Sequence, residues 1–443
     1  MASISSTLRR IKQDLQPFLP EQSIRQACLD AGHRWRNRQF DPVMTLHLFI
    51  LQILNFNTAI THLRHLAGAP INAASYCKAR MRLPLAVLQQ LLQSSAQAMA
   101  ATKGACQLWH GLRPYLTDGS GTIAPDTPQL QKEFPQPKSQ QKGCGFPHVK
   151  ILGLFDAFTG LVMQMLCFSL YHEQSRVWRL HPLLGQGDLL VADRGFCSYV
   201  HLAMLQLRGV MGLFRMHQQQ IVNFRPHRKT RRKGQTGKPR SQFVKRLGKH
   251  DQLVRWVRGH CPDWMTPEQW ARIPESLLVR ELRYTLKARG RRPRVVTIAT
   301  TLLDPLLYPK EEIAALYGVR WTVETHFAEL KTTLKMRKVK SQTPLGVQKE
   351  VAVYCLVYNL VHAVMLAAAR AQGVEPGRIS FVDTVRWLLA AKPGEPLPAL
   401  LVNPLRPERS EPRVIKDRHD KYKVMNRPRA QLRKALKNQA KEA

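Results

Sequence analysis

The sequence predicts an α/β protein in which an all-helical N-terminal region precedes a sheet-bearing region, itself split by a β-rich insertion. Three observations carry this. Residues 1 to about 100 repeat apolar side chains at helical spacing with few strand signals. From about 110 to 216 the pattern changes to short apolar runs, two of which lead into Asp118 and Asp193. A long amphipathic helix is then expected from near Pro309 to Lys340, after an intervening stretch of different composition.

In the N-terminal region, residues 43–54 and 85–92 have the apolar period of helices. Between them Asn72 stands where a helix cap would, followed by Tyr76, Lys78, Arg80 and Arg82. A recognition helix would have this chemistry, and so would a solvated basic face; the residues alone leave both open. In the sheet region, Tyr115-Leu-Thr leads into Asp118, and residues 150–155 and 161–169 flank the turn at Phe158-Thr-Gly160. Leu189-Leu-Val-Ala leads into Asp193, and a helix over 198–208 and a strand over 210–214 complete a strand–helix–strand unit. Chemistry in such sheets gathers at strand ends, where both aspartates are expected.

Residues 217–300 read as the insertion. Residues 225–249 hold 11 Lys/Arg and no Asp or Glu, and Trp256, Trp264 and Trp270 precede strand-like runs at 277–287 and 294–301. Arg228, Lys229, Arg231, Arg232 and Lys233 form the densest part of that basic segment and are candidates for contact with phosphate. In the following helix Tyr317, Arg320, Glu324 and Lys331 are spaced i, i+3, i+7 and i+14. At roughly 100° per residue they share one polar stripe, while Leu316, Val323, Phe327, Leu330 and Leu334 share another. A solvated Arg320–Glu324 pair would explain two of the four polar residues and leave Tyr317 and Lys331 unexplained.

Composition bounds the partners. The chain has 443 residues, 44% hydrophobic, enough for two or three domains with real cores. Its 68 Lys+Arg against 30 Asp+Glu give a formal charge of +38, so its surface attracts a polyanion, nucleic acid before others. Eight cysteines are scattered with no Cys-x-x-Cys pair, which indicates neither a disulfide framework nor a zinc site. The N-terminus lacks the apolar run of a signal peptide, and a cytoplasmic location is expected. Residues 351–369 are uncharged and apolar, but Tyr354, Tyr358, Asn359 and His362 interrupt them; a buried core helix is expected there, with no membrane partner.

Tyr-x2-Arg-x3-Glu-x6-Lys, present as Tyr317, Arg320, Glu324 and Lys331, resembles the signature of the insertion-sequence-four-type bacterial DDE transposases. Thr117-Asp-Gly-Ser120, Val191-Ala-Asp-Arg-Gly-Phe196 and Val319-Arg-Trp-Thr-Val-Glu324 resemble that family's three acidic blocks, in order. The resemblance implies a ribonuclease-H-like catalytic domain with a β-rich insertion between the second aspartate and the glutamate. Asp118 and Asp193 are 75 residues apart, and the 131 from Asp193 to Glu324 leave room for that insertion. It implies Asp118, Asp193 and Glu324 as catalytic metal ligands for two ions per active site, Mg²⁺ or Mn²⁺, since hard carboxylate oxygens suit these and no His/Cys cluster points to zinc. Tyr317, Arg320 and Lys331 would hold phosphates beside the cut. The implied reaction is cleavage and transfer of double-stranded DNA at insertion-sequence ends, with a hairpin at the element end as a step the family can include. A homodimer is expected when two ends are paired.

The alternative is a catalytically silent DNA-binding protein of the same descent; a basic RNA-binding protein would show no metal dependence. Asp126, Asp156 and Asp188 compete as acidic candidates but stand in turn-like contexts. His172-Glu173 lacks a second His at the metalloprotease spacing. Trp321 could stack on a base or sugar, though a buried helix tryptophan is the commoner case. The expected division is a helical DNA-binding domain over 1–105, a catalytic domain over 106–216 and 302–400, the insertion over 217–301 and a basic tail over 401–443. From 406 onward that tail holds 13 Lys/Arg against 5 Asp/Glu.

Overall fold

The computed structural model describes residues 18–36, 38–68, 70–101, 108–169, 175–217, 220, 222–225, 240–286, 294–392, 395–405, 425 and 427–442. Arg228, Lys229, Arg231, Arg232 and Lys233, and the pair His172-Glu173, lie outside the described residues.

Helices α1 (Glu21–Asp30), α2 (Pro42–Leu54), α3 (Leu63–Ala67), α4 (Ala73–Arg82) and α5 (Leu85–Ala101) open the fold. Asp41 caps α2 by accepting from the Met44 amide, with Pro42 in the first turn where a missing N–H costs nothing. Asn72 caps α4, accepting from the Ser75 amide at 2.9 Å. Tyr76 is fully buried, and Arg80 turns inward with its guanidinium 3.7 Å above the Phe49 ring and a bond to Gln52 at 3.1 Å. Of the three cations in α4, only Lys78 and Arg82 are exposed.

Among the described residues nine strands form one sheet, in the order β3-β2-β1-β4-β5-β9-β8-β7-β6. They are β1 (Arg113–Ile123), β2 (His148–Asp156), β3 (Val162–Phe168), β4 (Asp188–Ala192), β5 (Met211–Arg215), β6 (Arg240–Gly248), β7 (Asp251–Val257), β8 (Ser276–Leu286) and β9 (Arg294–Thr300). The short α6 (Pro128–Glu133), α7 (Tyr199–Gln206) and α8 (Pro267–Ala271) lie between them. β1 runs antiparallel to β2 and parallel to β4, and β4 runs parallel to β5. The strands of the insertion extend this sheet, because β9 pairs antiparallel with β5 (Leu213 opposite Thr300). Within the insertion, Arg280 and Asp251 form a fully buried two-bond pair at 2.9 and 2.6 Å.

The helix expected over 309–340 is interrupted and shorter. It comprises α9 (Lys310–Val319), α10 (Thr322–Ala328) and a π-helical turn (Glu329–Thr333). At the break the Arg320 and Trp321 amides reach back only three residues, to Tyr317 and Gly318. The run ends at Leu334, where Lys335 takes a left-handed conformation (φ 67°). The chain then lies beside β1, with Ile123 bonded to the Arg337 carbonyl and Val339 to that of Ile123. These bonds to β1 replace the last helical turn that local propensity favours. Leu316, Val323, Phe327, Leu330 and Leu334 are all buried, as the apolar stripe requires.

α11 (Pro344–Gln372), capped by Thr343 and closed by left-handed Gly373, is long and apolar enough to cross a membrane, yet 83% of its apolar window is buried. It packs on α2, α5, β3 and α12 (Phe381–Ala390) as the central core helix. One hydrophobic cluster runs from Leu19 through α2, β1, β2 and α10 to α11, so the N-terminal helices share a core with the sheet. The basic helix α13 (Arg429–Glu442) is anchored by Arg429, which pairs with Asp126 and covers the Phe146 ring.

Candidate active site

Strand register brings the two aspartates together. β1 and β4 are parallel neighbours with Thr117 opposite Ala192, so the next residues, Asp118 and Asp193, stand side by side. Asp193 follows its strand, as expected, but Asp118 lies inside β1. Parallel pairing with β4 stops at Thr117, whereas antiparallel pairing with β2 continues to Ile123 and carries the strand past the aspartate.

The interrupted helix supplies the other groups. Arg320, with its side chain 3% exposed, reaches Asp118 Oδ2 with Nη1 at 3.3 Å and approaches Glu324 Oε1 with Nη2 at 3.8 Å. The Tyr317 hydroxyl donates to Asp193 Oδ1 at 3.3 Å. Lys331 Nζ donates to Ser120 Oγ at 3.0 Å. Asp118, Ser120, Asp193, Tyr317, Arg320, Glu324 and Lys331 thus meet at one place on the sheet, and of the polar stripe Tyr317 and Arg320 face protein while Glu324 stays exposed. Asp118 Oδ1 also accepts from its neighbour's amide, Gly119, at 2.8 Å.

The carboxylates are graded in exposure, with Asp118 at 23%, Asp193 at 30% and Glu324 at 60% of the side chain. Burial pushes the Tyr317 phenol well above its ordinary value; Arg320 opposes this and Asp193 adds to it, so the hydroxyl is a proton donor at neutral pH. Burial, then Arg337 and Lys150, push the Lys331 ammonium down. Trp321 is 42% exposed, and the Arg320 guanidinium lies 4.5 Å above its ring, so it is an accessible aromatic surface and not a core residue.

Arg215, which the sequence reading missed, ends β5 with Nη1 3.9 Å from Asp193 Oδ1. Its signal was topological: β4 and β5 are parallel with Ala192 opposite Phe214, which puts Arg215 beside Asp193. The competing carboxylates hold structure elsewhere. Asp156 accepts from the Phe158 and Thr159 amides, Asp188 accepts from the Gly185 amide and forms an ion pair with Arg113, and Asp126 accepts from Gln131 and Arg429.

A model of the transposase DDE domain matches residues 109–360, a span containing every residue of this site. The chain belongs to the transposase DDE domain family. It is 27% identical over 371 residues to the transposase InsG for insertion sequence element IS4 of Escherichia coli (strain K12), covering 76% of this chain and 78% of that one. The piggyBac transposase in a synaptic complex with hairpin DNA is similar over 85% of this chain and 78% of that one, at 9% identity and a TM-score of 0.42. The transposase is therefore a DNA-cleaving and DNA-transferring enzyme on a mixed α/β fold, and its family implies dependence on a divalent metal.

Proposed function

We propose that Asp118, Asp193 and Glu324 are the metal-binding carboxylates of this transposase and hold two Mg²⁺ ions, with Mn²⁺ as a substitute. The observation that carries this reading is their convergence from three separate elements around Arg320 and Tyr317. The donor set fits: the carboxylate oxygens are hard, and Glu324 leaves one side open to solvent. Bound there, the ions would supply a clamp on the attacking and leaving oxygens of an in-line phosphoryl displacement.

The chain's own residues do the rest. Lys331 offers a point charge to phosphates next to the cut, the buried Arg320 fork, expected on phosphate, instead spans Asp118 and Glu324, and the protonated Tyr317 phenol holds Asp193 in place. Trp321 offers a face on which an unpaired base or a sugar can stack. The substrate is double-stranded DNA at the ends of an insertion sequence, cut and then joined to target DNA; a homodimer pairs the two ends. A bacterial cytoplasmic setting beside the nucleoid goes with that substrate.

Strand order 3-2-1-4-5, with β1–β3 antiparallel and β1, β4 and β5 parallel, supports a ribonuclease-H-like reading of the catalytic region. In that reading residues 106–216 and 302–400 form the catalytic domain, 217–301 the insertion, 1–105 the helical DNA-binding part and 401–443 the tail. The deciding experiment incubates the protein with DNA bearing element ends, with and without Mg²⁺. Asp118→Asn, Asp193→Asn and Glu324→Gln should each abolish cleavage and joining while leaving end binding intact. Full cleavage by any one of them would remove that residue from the metal site.

A further inference from the structure

Two residues beyond Glu324, on another face of the same helix, a second group of donors converges. One ligand atom from each of His326, Glu329 and His362 lies within 4.8 Å of the other two. Their side chains are only 11%, 17% and 7% exposed. The hydroxyl of the fully buried Tyr358 is 2.8 Å from His326 Nδ1 and 3.1 Å from Glu329 Oε2. His326 comes from α10, Glu329 from the π-helical turn and the other two from α11.

His362 decides the chemistry. Its Nδ1 lies 3.1 Å from the Thr159 carbonyl, which can only accept, so Nδ1 carries the proton. In the neutral ring Nε2 then presents a lone pair, and it has no hydrogen-bond partner among the described residues although it is buried. It points toward Glu329 Oε2 at 3.5 Å, and His326 Nδ1 lies 3.7 Å from that same oxygen. A histidine fixed by a backbone carbonyl with its other nitrogen free is the usual arrangement of a metal ligand. A tetrahedral ion with bonds of about 2.0–2.1 Å has six donor–donor edges of about 3.3 Å; the four between Tyr358 and His326, Tyr358 and Glu329, His362 and Glu329, and His326 and Glu329 run from 2.8 to 3.7 Å. The backbone leaves room for both imidazoles: a Cβ at Gly160, whose φ is +70°, would come within 2.8 Å of each ring.

We propose that His326, Glu329 and His362, with the Tyr358 hydroxyl as fourth donor, form a structural zinc site separate from the three-carboxylate site. Two imidazoles and one carboxylate suit zinc and disfavour magnesium, which demands oxygen ligands. All four positions are taken by protein, as in structural rather than catalytic zinc sites. The ion would tie the helix that carries Glu324 to the core helix and to the turn between β2 and β3. This site does not depend on the catalytic reading above.

The test uses the full chain and its Asp118→Asn/Glu324→Gln double variant, in which the carboxylate site is disabled. Elemental analysis after gel filtration should find one equivalent of zinc in both, lost in His362→Ala. Replacement with Co²⁺ should give the intense visible absorption of a tetrahedral nitrogen–oxygen site, which six-coordinate oxygen ligation lacks. Should His362→Ala fail to fold, chelator-treated wild type takes its place: added zinc should raise its melting temperature and Co²⁺ should restore the band. No retained zinc together with a flat Co²⁺ titration would show that the four residues are a hydrogen-bonded core cluster. A Co²⁺ band that persists in folded His362→Ala would equally overturn the assignment.

Discussion

Arg320→Ala probes the electrostatics of the carboxylate site most directly. The guanidinium is 3.3 Å from Asp118 and 3.8 Å from Glu324 and is itself almost fully buried. At an effective dielectric of about 20, the shorter contact represents about 5 kcal/mol of gross attraction, and about 1 kcal/mol in water. The contact with Glu324 adds little, because that side chain is 60% exposed. Breaking a buried pair costs about 3–5 kcal/mol, and the partial exposure of Asp118 lowers this to about 2–3 kcal/mol. Urea unfolding in EDTA should therefore show Arg320→Ala less stable than wild type by that amount. Without the guanidinium the carboxylates lose their built-in counter-cation. Mg²⁺ should then stabilise the variant more than wild type, narrowing the gap. Strand processing after the first nick should fall more than end binding does. An equal response of both proteins to Mg²⁺ would refute the coupling of Arg320 to the carboxylates, whatever the variant's stability.

Lys331→Ala should slow end processing by roughly 10–100-fold, the worth of one charge-assisted hydrogen bond of about 1.5–3 kcal/mol, while end binding changes little; a normal processing rate would return Lys331 to a role of bonding Ser120 only. Replacing Arg228, Lys229, Arg231, Arg232 and Lys233 by alanine should flatten the slope of log affinity against log salt by up to about 4.5, at about 0.9 per phosphate, without changing base preference; an unchanged slope means these cations do not touch DNA. His181→Phe should alter acid stability. Burial, helped by His201 and Arg208, lowers the His181 pKa to about 3, so between pH 6.5 and 3 the unfolded chain takes up a proton that the folded protein refuses. Stability is then lost as pH falls through that window, by up to about 1.4 kcal/mol per unit, and the variant's unfolding curves should show a shallower slope; an unaltered slope would assign the acid sensitivity to other groups.

Much of the carboxylate site was legible in the sequence because its information is local. Asp118 and Asp193 announce themselves by the apolar strands before them, and Glu324 by its spacing from Tyr317, Arg320 and Lys331. The cap at Asn72 and the apolar faces of α2 and α11 are equally local, and composition alone, at +38, set the polyanionic partner. What escaped reading depends on contacts between distant segments. Uninterrupted helix over 320–340 satisfies the apolar period, yet pairing of residues 337–339 with Ile123 ends it early. The basic α4 reads equally as a recognition helix or a solvated face, and nothing local says that Arg80 turns inward onto Phe49 and Gln52. Nothing in residues 294–300 says that they pair with β5, nor in β5 that its last residue, Arg215, will face Asp193. His326 and His362 lie on different helices, and a search for closely spaced ligands passes over them. Periodicity records which face of an element is apolar; what covers that face is set by strand register and helix packing between residues far apart in the chain. The sequence by itself therefore determined the reaction class and the candidate residues for its centre, while the tertiary structure alone decided which cations lie beside those carboxylates and which buried donors meet behind them.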